Sequence, residues 1–295
     1  MVTAPHARTA GLIDARNRAR YARPDVAAQY RDLRSWVDGG ESRVFLDVAG
    51  EVRGQPVLDV GVGGGRTSWW LRLLSRDYVA LDYSPEMVAV CRQACPGIDV
   101  RLGDARDLSD FDDEHFGLVV FSFNGLDSVD HDDRRRILEE FHRVLRPEGL
   151  LVFSTFNKSG PAWGEAPWQT MRYTASQRPR AERAARLLGR MTLRPRLEIR
   201  TYQNWWRLKR CVEDHGGWAI GPGPADNFGV LLHFITPEGE RQELTGSGFD
   251  VSAMFTDKGR PMKPLESAAD SFWFYVVARR SMPPPARPQQ SALLR

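Results

Sequence analysis

The run Val57-Leu58-Asp59-Val60-Gly61-Val62-Gly63-Gly64-Gly65-Arg66-Thr67 sets an apolar strand, an acidic residue and a cluster of glycines directly before a helical stretch. Only glycine lets a backbone turn this tightly and approach a ligand with no side chain between. A helix-like Thr67–Ser75 segment leads to a second apolar run, Tyr78-Val79-Ala80-Leu81-Asp82, which also ends in a carboxylate. The strand and helix alternation continues from Pro56 to Phe156 and predicts an α/β, doubly wound, mostly parallel sheet, because right-handed crossovers need covering helices. In such sheets the ligand sits beyond the carboxyl ends of the strands, near the switch in strand order. Asp59, Asp82, Asp104 and Phe123 fall at those ends.

A carboxylate at the tip of the second strand can accept hydrogen bonds from both hydroxyls of a ribose. The dinucleotide fingerprint wants its third glycine where Arg66 stands, so the spacing points to a nucleoside ligand without a pyrophosphate. Further on come Leu102-Gly103-Asp104-Ala105-Arg106-Asp107-Leu108, Phe116-Gly117-Leu118-Val119-Val120-Phe121-Ser122-Phe123-Asn124 and Val144-Leu145-Arg146-Pro147-Glu148-Gly149-Leu150-Leu151-Val152-Phe153.

This series, in its order and spacing, resembles the class I S-adenosylmethionine-dependent methyltransferases. The resemblance implies a seven-stranded Rossmann-like sheet with an inserted lid, S-adenosylmethionine as cofactor and S-adenosylhomocysteine as its product. It also implies that the loop of Asp59, Gly61, Val62, Gly63, Gly65 and Arg66 holds the amino-acid end of the cofactor. Asp82 is similar to the ribose-binding acid, with Tyr83 beside the adenine and Met87 beneath it. The segment of Asp104, Ala105 and Arg106 resembles the adenine-contacting one, where an acidic side chain accepts from the exocyclic amine. Phe121 and Phe123 then end the strand that faces the transferred methyl. Tyrosines of the lead-in close over the cofactor in relatives, which makes Tyr21 and Tyr30 candidates; packing against the core explains either ring equally well.

The pattern divides the chain into a helical lead-in (1–52), a cofactor-binding core (53–157), an inserted substrate lid (158–228), the end of the core sheet with a C-terminal hairpin (229–280) and a disordered tail (281–295). The first 18 residues, polar and Ala/Arg-rich, read as loosely packed. Within the lid lie Trp163, Trp168, Tyr173, Tyr202, Trp205, Trp206 and Trp218, a density of rings that suits either a pocket for a planar small molecule or a small core of the lid itself. Arg183, Arg186 and Arg190 share one helical face, either a solvated face or a site for an anionic acceptor. Thr236 reads as an N-cap with Pro237 at the first helical position, followed by an antiparallel hairpin over Val251–Phe255 and Phe272–Ala278.

Methyl transfer is a displacement at a sulfonium carbon, so a protein must align the nucleophile and, where needed, take a proton. Asp127, Asp226 and His233 are the candidates for that base, His233 being equally readable as a core histidine. Asn124, Trp163, Tyr202, Trp205, Trp206 and Asn227 are the candidates for binding the acceptor.

A net charge of +3, from 41 Lys and Arg against 38 Asp and Glu, makes no general case for nucleic acid or a membrane surface. Cys91, Cys95 and Cys211 suit reduced thiols better than a disulfide framework or a zinc site, so no metal is expected. No run is long and apolar enough for a signal peptide or a membrane span, which reads as cytoplasmic. The expectation is a small-molecule methyltransferase acting on an N, O or C nucleophile of an aromatic or anionic acceptor. Ala/Arg/Gly usage associates it with bacterial secondary metabolism. A non-catalytic S-adenosylmethionine-binding protein and a Rossmann-type nucleotide-dependent oxidoreductase are the alternatives.

Overall fold

The computed structural model describes residues 5–32, 36–167, 195–224 and 226–281. Trp168, Tyr173, the arginine face at Arg183, Arg186 and Arg190, and the tail from residue 282 lie outside them. Apolar runs bounded by turn residues form the core strands β1 (Val57–Val60), β2 (Tyr78–Asp82), β3 (Asp99–Leu102), β4 (Phe116–Phe121), β5 (Leu145–Phe156), and, much later in the chain, the pair Phe249–Thr256 and Trp273–Arg280. The first five are parallel, in the order β3-β2-β1-β4-β5. The order reverses beside β1, so the crevice at the ends of β1 and β4 is the switch point where a doubly wound sheet takes its ligand. Helices α1 (Pro5–Tyr21), α2 (Pro24–Asp32), α3 (Gly39–Val52), α4 (Ser68–Leu74), α5 (Pro85–Ala94) and α6 (His131–Val144) precede or cover these strands.

Strand β1 is buried along its whole length, as are the six residues of β4, which accounts for their unbroken apolar runs. Two large apolar clusters cover the two faces of the sheet, one built on Phe116, Phe121, Phe141 and Phe153, the other on Val44, Phe45, Val48 and Tyr275. Asp38 fastens α3 to the far end of the sheet. Its carboxylate caps the helix through Glu41 N at 2.8 Å and accepts from Tyr275 Oη at 2.8 Å and Trp273 Nε1 at 3.0 Å.

Two expectations fail here. The described part of the N-terminal segment is not loosely packed: α1 begins at Pro5, and Ile13 and Asn17 are buried. These residues are four apart, so they share one helical face, and they press it onto a small second sheet. That second sheet is the other difference. The core sheet does not resume near Ile235; β8 (Leu231–Ile235) pairs antiparallel with β7 (Trp218–Pro222), and β7 with β6 (Glu213–Asp214). Full burial of all five β8 residues makes them look like a core-sheet strand in sequence, but the burial comes from α1, α7 (Pro195–Leu208) and the edge of the core. The core is rejoined at α8 (Pro237–Gly246), capped by Thr236, whose hydroxyl accepts from Gly239 N at 3.0 Å. Strands β9 (Phe249–Thr256) and β10 (Trp273–Arg280) then complete the seven-stranded sheet, β10 antiparallel to both β5 and β9.

Arg134 of α6 lies wholly inside, its guanidinium shared by Asp127 at 2.8 Å, Glu243 at 2.7 Å and Glu240. Burial pushes the Asp127 acid up to about 7 and the Glu240 acid up to about 8, with the arginine opposing it in both. Removing the cation strands three carboxylates in a dry interior. Arg134→Leu is therefore expected to lower unfolding stability by about 3–5 kcal/mol, measured by denaturant titration at pH 7. A loss under about 1 kcal/mol would mean that the three acids are neutral without it.

Candidate functional site

The glycine loop after β1 takes a path that side chains forbid. Gly61, Gly63 and Gly65 have φ of 62°, 55° and 84°. At Gly64 a Cβ would stand 2.6 Å from the Tyr30 carbonyl oxygen, so α2 rests on the loop itself. A cavity opens above it at the switch point, lined by Gly61 and Gly63, by Asp82, Tyr83 and Met87 after β2, by Asp104, Ala105 and Arg106 after β3, and by Phe121 and Phe123 after β4. The lead-in supplies the cover. Asp14, Asn17, Arg18 and Tyr21 share one face of α1, at spacings of three, four and seven, and Tyr30 comes from α2.

Asp82 is buried, and its two oxygens accept from Gly63 N and Ser84 N, each at 2.9 Å. Burial raises its acid to about 6 despite these bonds. Asp104 is the opposite case. Arg106 donates to it through its backbone N and Nε, each at 3.0 Å, and through Nη2 at 2.7 Å, while Arg18 Nη2 adds a contact at 2.5 Å. Burial alone would raise this acid, yet those bonds bring it to about 2. Arg18 also stacks over the Tyr83 ring at 4.7 Å, and Arg106 reaches Asp133 at 2.6 Å. The result is a zipper of alternating charge between α1, the turn after β3 and α6.

The remaining candidates sit elsewhere. Asp59 does not line the cavity; it is turned behind the loop, where Oδ2 accepts from Thr67 Oγ1 at 2.8 Å and Tyr78 Oη at 2.7 Å, and burial lifts its acid to about 6. Val62 is core. Arg66 forms a buried pair with Glu41 at 2.7 Å and donates to the Trp36 carbonyl at 2.8 Å, so it braces the loop from outside.

None of the three expected bases reaches the cavity. Asp127 is consumed by Arg134, Thr155 and Phe156 N. His233 is fully buried among rings, 3.2 Å from His131 and stacked on Trp218, and burial holds it well below the usual histidine range. Asp226 is paired with Arg23 at 2.9 Å.

Among the expected acceptor contacts, Asn124 stands between the lining residues Phe123 and Gly125, with φ of 59° and its amide N bonded to Ser154 Oγ at 2.8 Å. Trp163 packs on Phe234 at 5.1 Å, inside the lid's own small core. Tyr202 and Trp206, the latter 53% exposed, border a separate shallow groove on α7, and the Lys209 ammonium lies over both Trp205 and Trp206. Asn227 accepts from Asn204 through its carbonyl at 3.2 Å. Lining residues missed by sequence were Asp14, Asn17 and Arg18, for which helical spacing was the one available signal, and Ser122 and Ser128 beside the end of β4.

Residues 57–149 match the family model described as a methyltransferase domain. That match, over the strands and loop that build the cavity, supports a methyltransferase domain of the class I S-adenosylmethionine-dependent type in this part of the chain. Its solved neighbours share the fold. A methyltransferase from Mesorhizobium loti superposes with a TM-score of 0.50 at 20% identity, over 82% of this chain and 98% of that one. The CcbJ methyltransferase from Streptomyces caelestis does so with a TM-score of 0.53 at 16% identity, over 83% and 90%. A demethylmenaquinone methyltransferase of Renibacterium salmoninarum is 37% identical over 151 residues, half of this chain and 60% of that protein. The chain thus spans less than two thirds of that relative's length.

The close passage of α2 over the methyltransferase loop gives a test independent of any ligand. Gly64→Ala should push α2 off, and trypsin should then cut at Arg23 or Arg31 at least several-fold faster while the melting temperature of the core sheet changes little. Unaltered cleavage would show that the Tyr30 backbone is free to yield.

Proposed function

We propose that this chain transfers the methyl group of S-adenosylmethionine to a small, ring-bearing acceptor held between the glycine loop and helix α1. One observation carries the reading: a buried, raised carboxylate, Asp82, lines the cavity at the switch point beside a glycine loop against which the Phe121 and Tyr30 rings close, under a cover of Tyr21 and Tyr83. Asp82 would take the ribose hydroxyls, Gly61 and Gly63 the amino-acid end, and Met87 with Tyr83 the adenine faces. When bound, the cofactor supplies an electrophilic methyl on a sulfonium. Held by Asp82, Gly61 and Gly63, it would give up that methyl to the acceptor atom and leave as the neutral thioether.

The protein's own part is alignment. Phe121, Phe123 and the serines Ser122 and Ser128 border the cavity where β4 ends, and the left-handed backbone at Phe123 and Asn124 is the kind of strain that persists at functional sites. Since Asp127, Asp226 and His233 are engaged elsewhere, we assign none of them as a base, and the acceptor's proton would pass to solvent. The ring-rich lining favours a planar acceptor, in keeping with the Renibacterium relative named for demethylmenaquinone. A radiolabelled-methyl assay over phenols, hydroxyquinones and amino sugars tests the acceptor class; label entering only the sugars would overturn the planar reading.

Hydroxyl donors favour the ionised form of Asp82, whose acid lies at about 6, above the ordinary carboxylate range. Binding must therefore expel a proton below that pH and none above it. Affinity for S-adenosylhomocysteine should be flat above pH 7 and fall about tenfold per unit below pH 6. Asp82→Ala should cost about 1.5–3 kcal/mol of that affinity at pH 7.5. Asp82→Asn should flatten the profile; a slope that persists in Asp82→Asn would assign the titration to another group such as Asp59.

A further inference from the structure

We propose that Cys95 is a thiol–disulfide exchange site, and that a small disulfide which modifies it unseats the glycine loop and so withdraws the cofactor site. The effect on the cofactor rests on the reading of the cavity as a site for S-adenosylmethionine; the modification itself does not. Cys91 and Cys95 stand one turn apart on one face of α5, with Cys95 as the residue that closes the helix. Both sulfurs press on the loop from behind: a Cβ at Gly65, where φ is 84°, would lie 2.7 Å from Cys95 Sγ and 3.2 Å from Cys91 Sγ. The Cys95 thiol donates to the Gly65 carbonyl at 3.8 Å, and the two thiols are hydrogen-bonded to each other.

The pair ends a chain of polar groups that runs behind the loop. Asp59 accepts from Tyr78 Oη at 2.7 Å, Ser68 Oγ lies 2.8 Å from that hydroxyl, and Ser68 is hydrogen-bonded in turn to Cys91. Asp59, Tyr78, Ser68 and Cys91 are all buried, and the chain reaches the surface at the half-buried Cys95. The two sulfurs are therefore unequal. The bond to Cys95, together with burial, pushes the Cys91 thiol far up, so Cys91 keeps its proton and Cys95 is the sulfur that a dissolved reagent meets. Exchange forms a bond from the Cys95 sulfur to one sulfur of the small disulfide as the disulfide's own S–S bond breaks, and the second half leaves as a thiol that takes up the Cys95 proton. The product has no S–H for the Gly65 carbonyl, and the added group has no room on the Gly65 side. Gly65 N is bonded to the Val62 carbonyl at 3.0 Å and Gly63 N to Asp82 at 2.9 Å, so a displaced Gly65 disturbs the contact between the loop and Asp82.

The test treats the full chain with 2-hydroxyethyl disulfide, in a Cys211→Ser background that removes the other half-buried thiol. Mass spectrometry with peptide mapping should find one hydroxyethylthio group, on Cys95, and none on Cys91. Affinity for S-adenosylhomocysteine, read by calorimetry, should then fall at least about tenfold, as it does when the loop is seated in about one molecule in ten. Trypsin should also cut after Arg66, now buried against Glu41, several-fold faster. Dithiothreitol should reverse both effects, which decides the matter even if Cys95→Ser does not fold; a folded Cys95→Ser should bind as before and ignore the disulfide. A Cys95 that stays unmodified in the folded chain would overturn the proposal, and so would a fully labelled Cys95 with affinity unchanged. An untreated chain that binds no S-adenosylhomocysteine would instead remove the cofactor reading, and the rate of cleavage after Arg66 would then decide whether Cys95 holds the loop.

Discussion

Everything around the cavity hangs on one buried carboxylate holding two backbone amides. Asp82 accepts from Gly63 N, in the loop after β1, and from Ser84 N, at the start of α5. It joins the two strand ends that must stay in register for a ligand to lie across them. The energy of holding that charge out of water shows in the raised acid of Asp82, and backbone N–H groups only partly offset it. The unspent demand for donors is what a ribose diol would meet. With the loop held there, Gly64 offers a surface on which the Tyr30 backbone can sit, and α2 with its neighbour α1 can close over the top.

The two charged clusters divide the labour. The zipper of Arg18, Arg106, Asp14, Asp104 and Asp133 is partly open to water and ties the N-terminal helix to the turn after β3 and to the first turn of α6. Exposed or half-exposed pairs of this sort contribute little stability each, but they set where a helix lands. Arg134 with Asp127, Glu240 and Glu243 is fully dry and fixes α6 to α8 beneath the second sheet. One cluster positions the cover and supplies charged groups to the cavity wall, and the other anchors its base away from the cavity.

Features that depend on neighbours along the chain were legible in the sequence. The glycine loop, Asp82, the N-cap at Thr236 and the C-terminal hairpin all express themselves through local spacing and were read in place. Features that depend on which side chains the fold turns toward one another were not. Asp59 and Asp82 look alike, each a carboxylate at a strand end, and only the inward hydroxyls of Tyr78 and Thr67 decide that Asp59 turns away. Asp127 resembles a cleft base until Arg134 is seen seven residues on, and His233 until Trp218 and His131 enclose it. The helix α1 carries too few apolar residues to announce itself, and its buried face acquires meaning only against Leu231, more than two hundred residues later.

The most direct measurement is calorimetric titration of the wild-type chain with S-adenosylhomocysteine, with NAD in parallel. A cradle built from Asp82, a glycine loop without the dinucleotide spacing, and a tyrosine cover should give saturable one-to-one binding of the former and no heat with NAD. Absence of S-adenosylhomocysteine binding in a chain that unfolds cooperatively, or saturable binding of NAD in its place, would contradict the account.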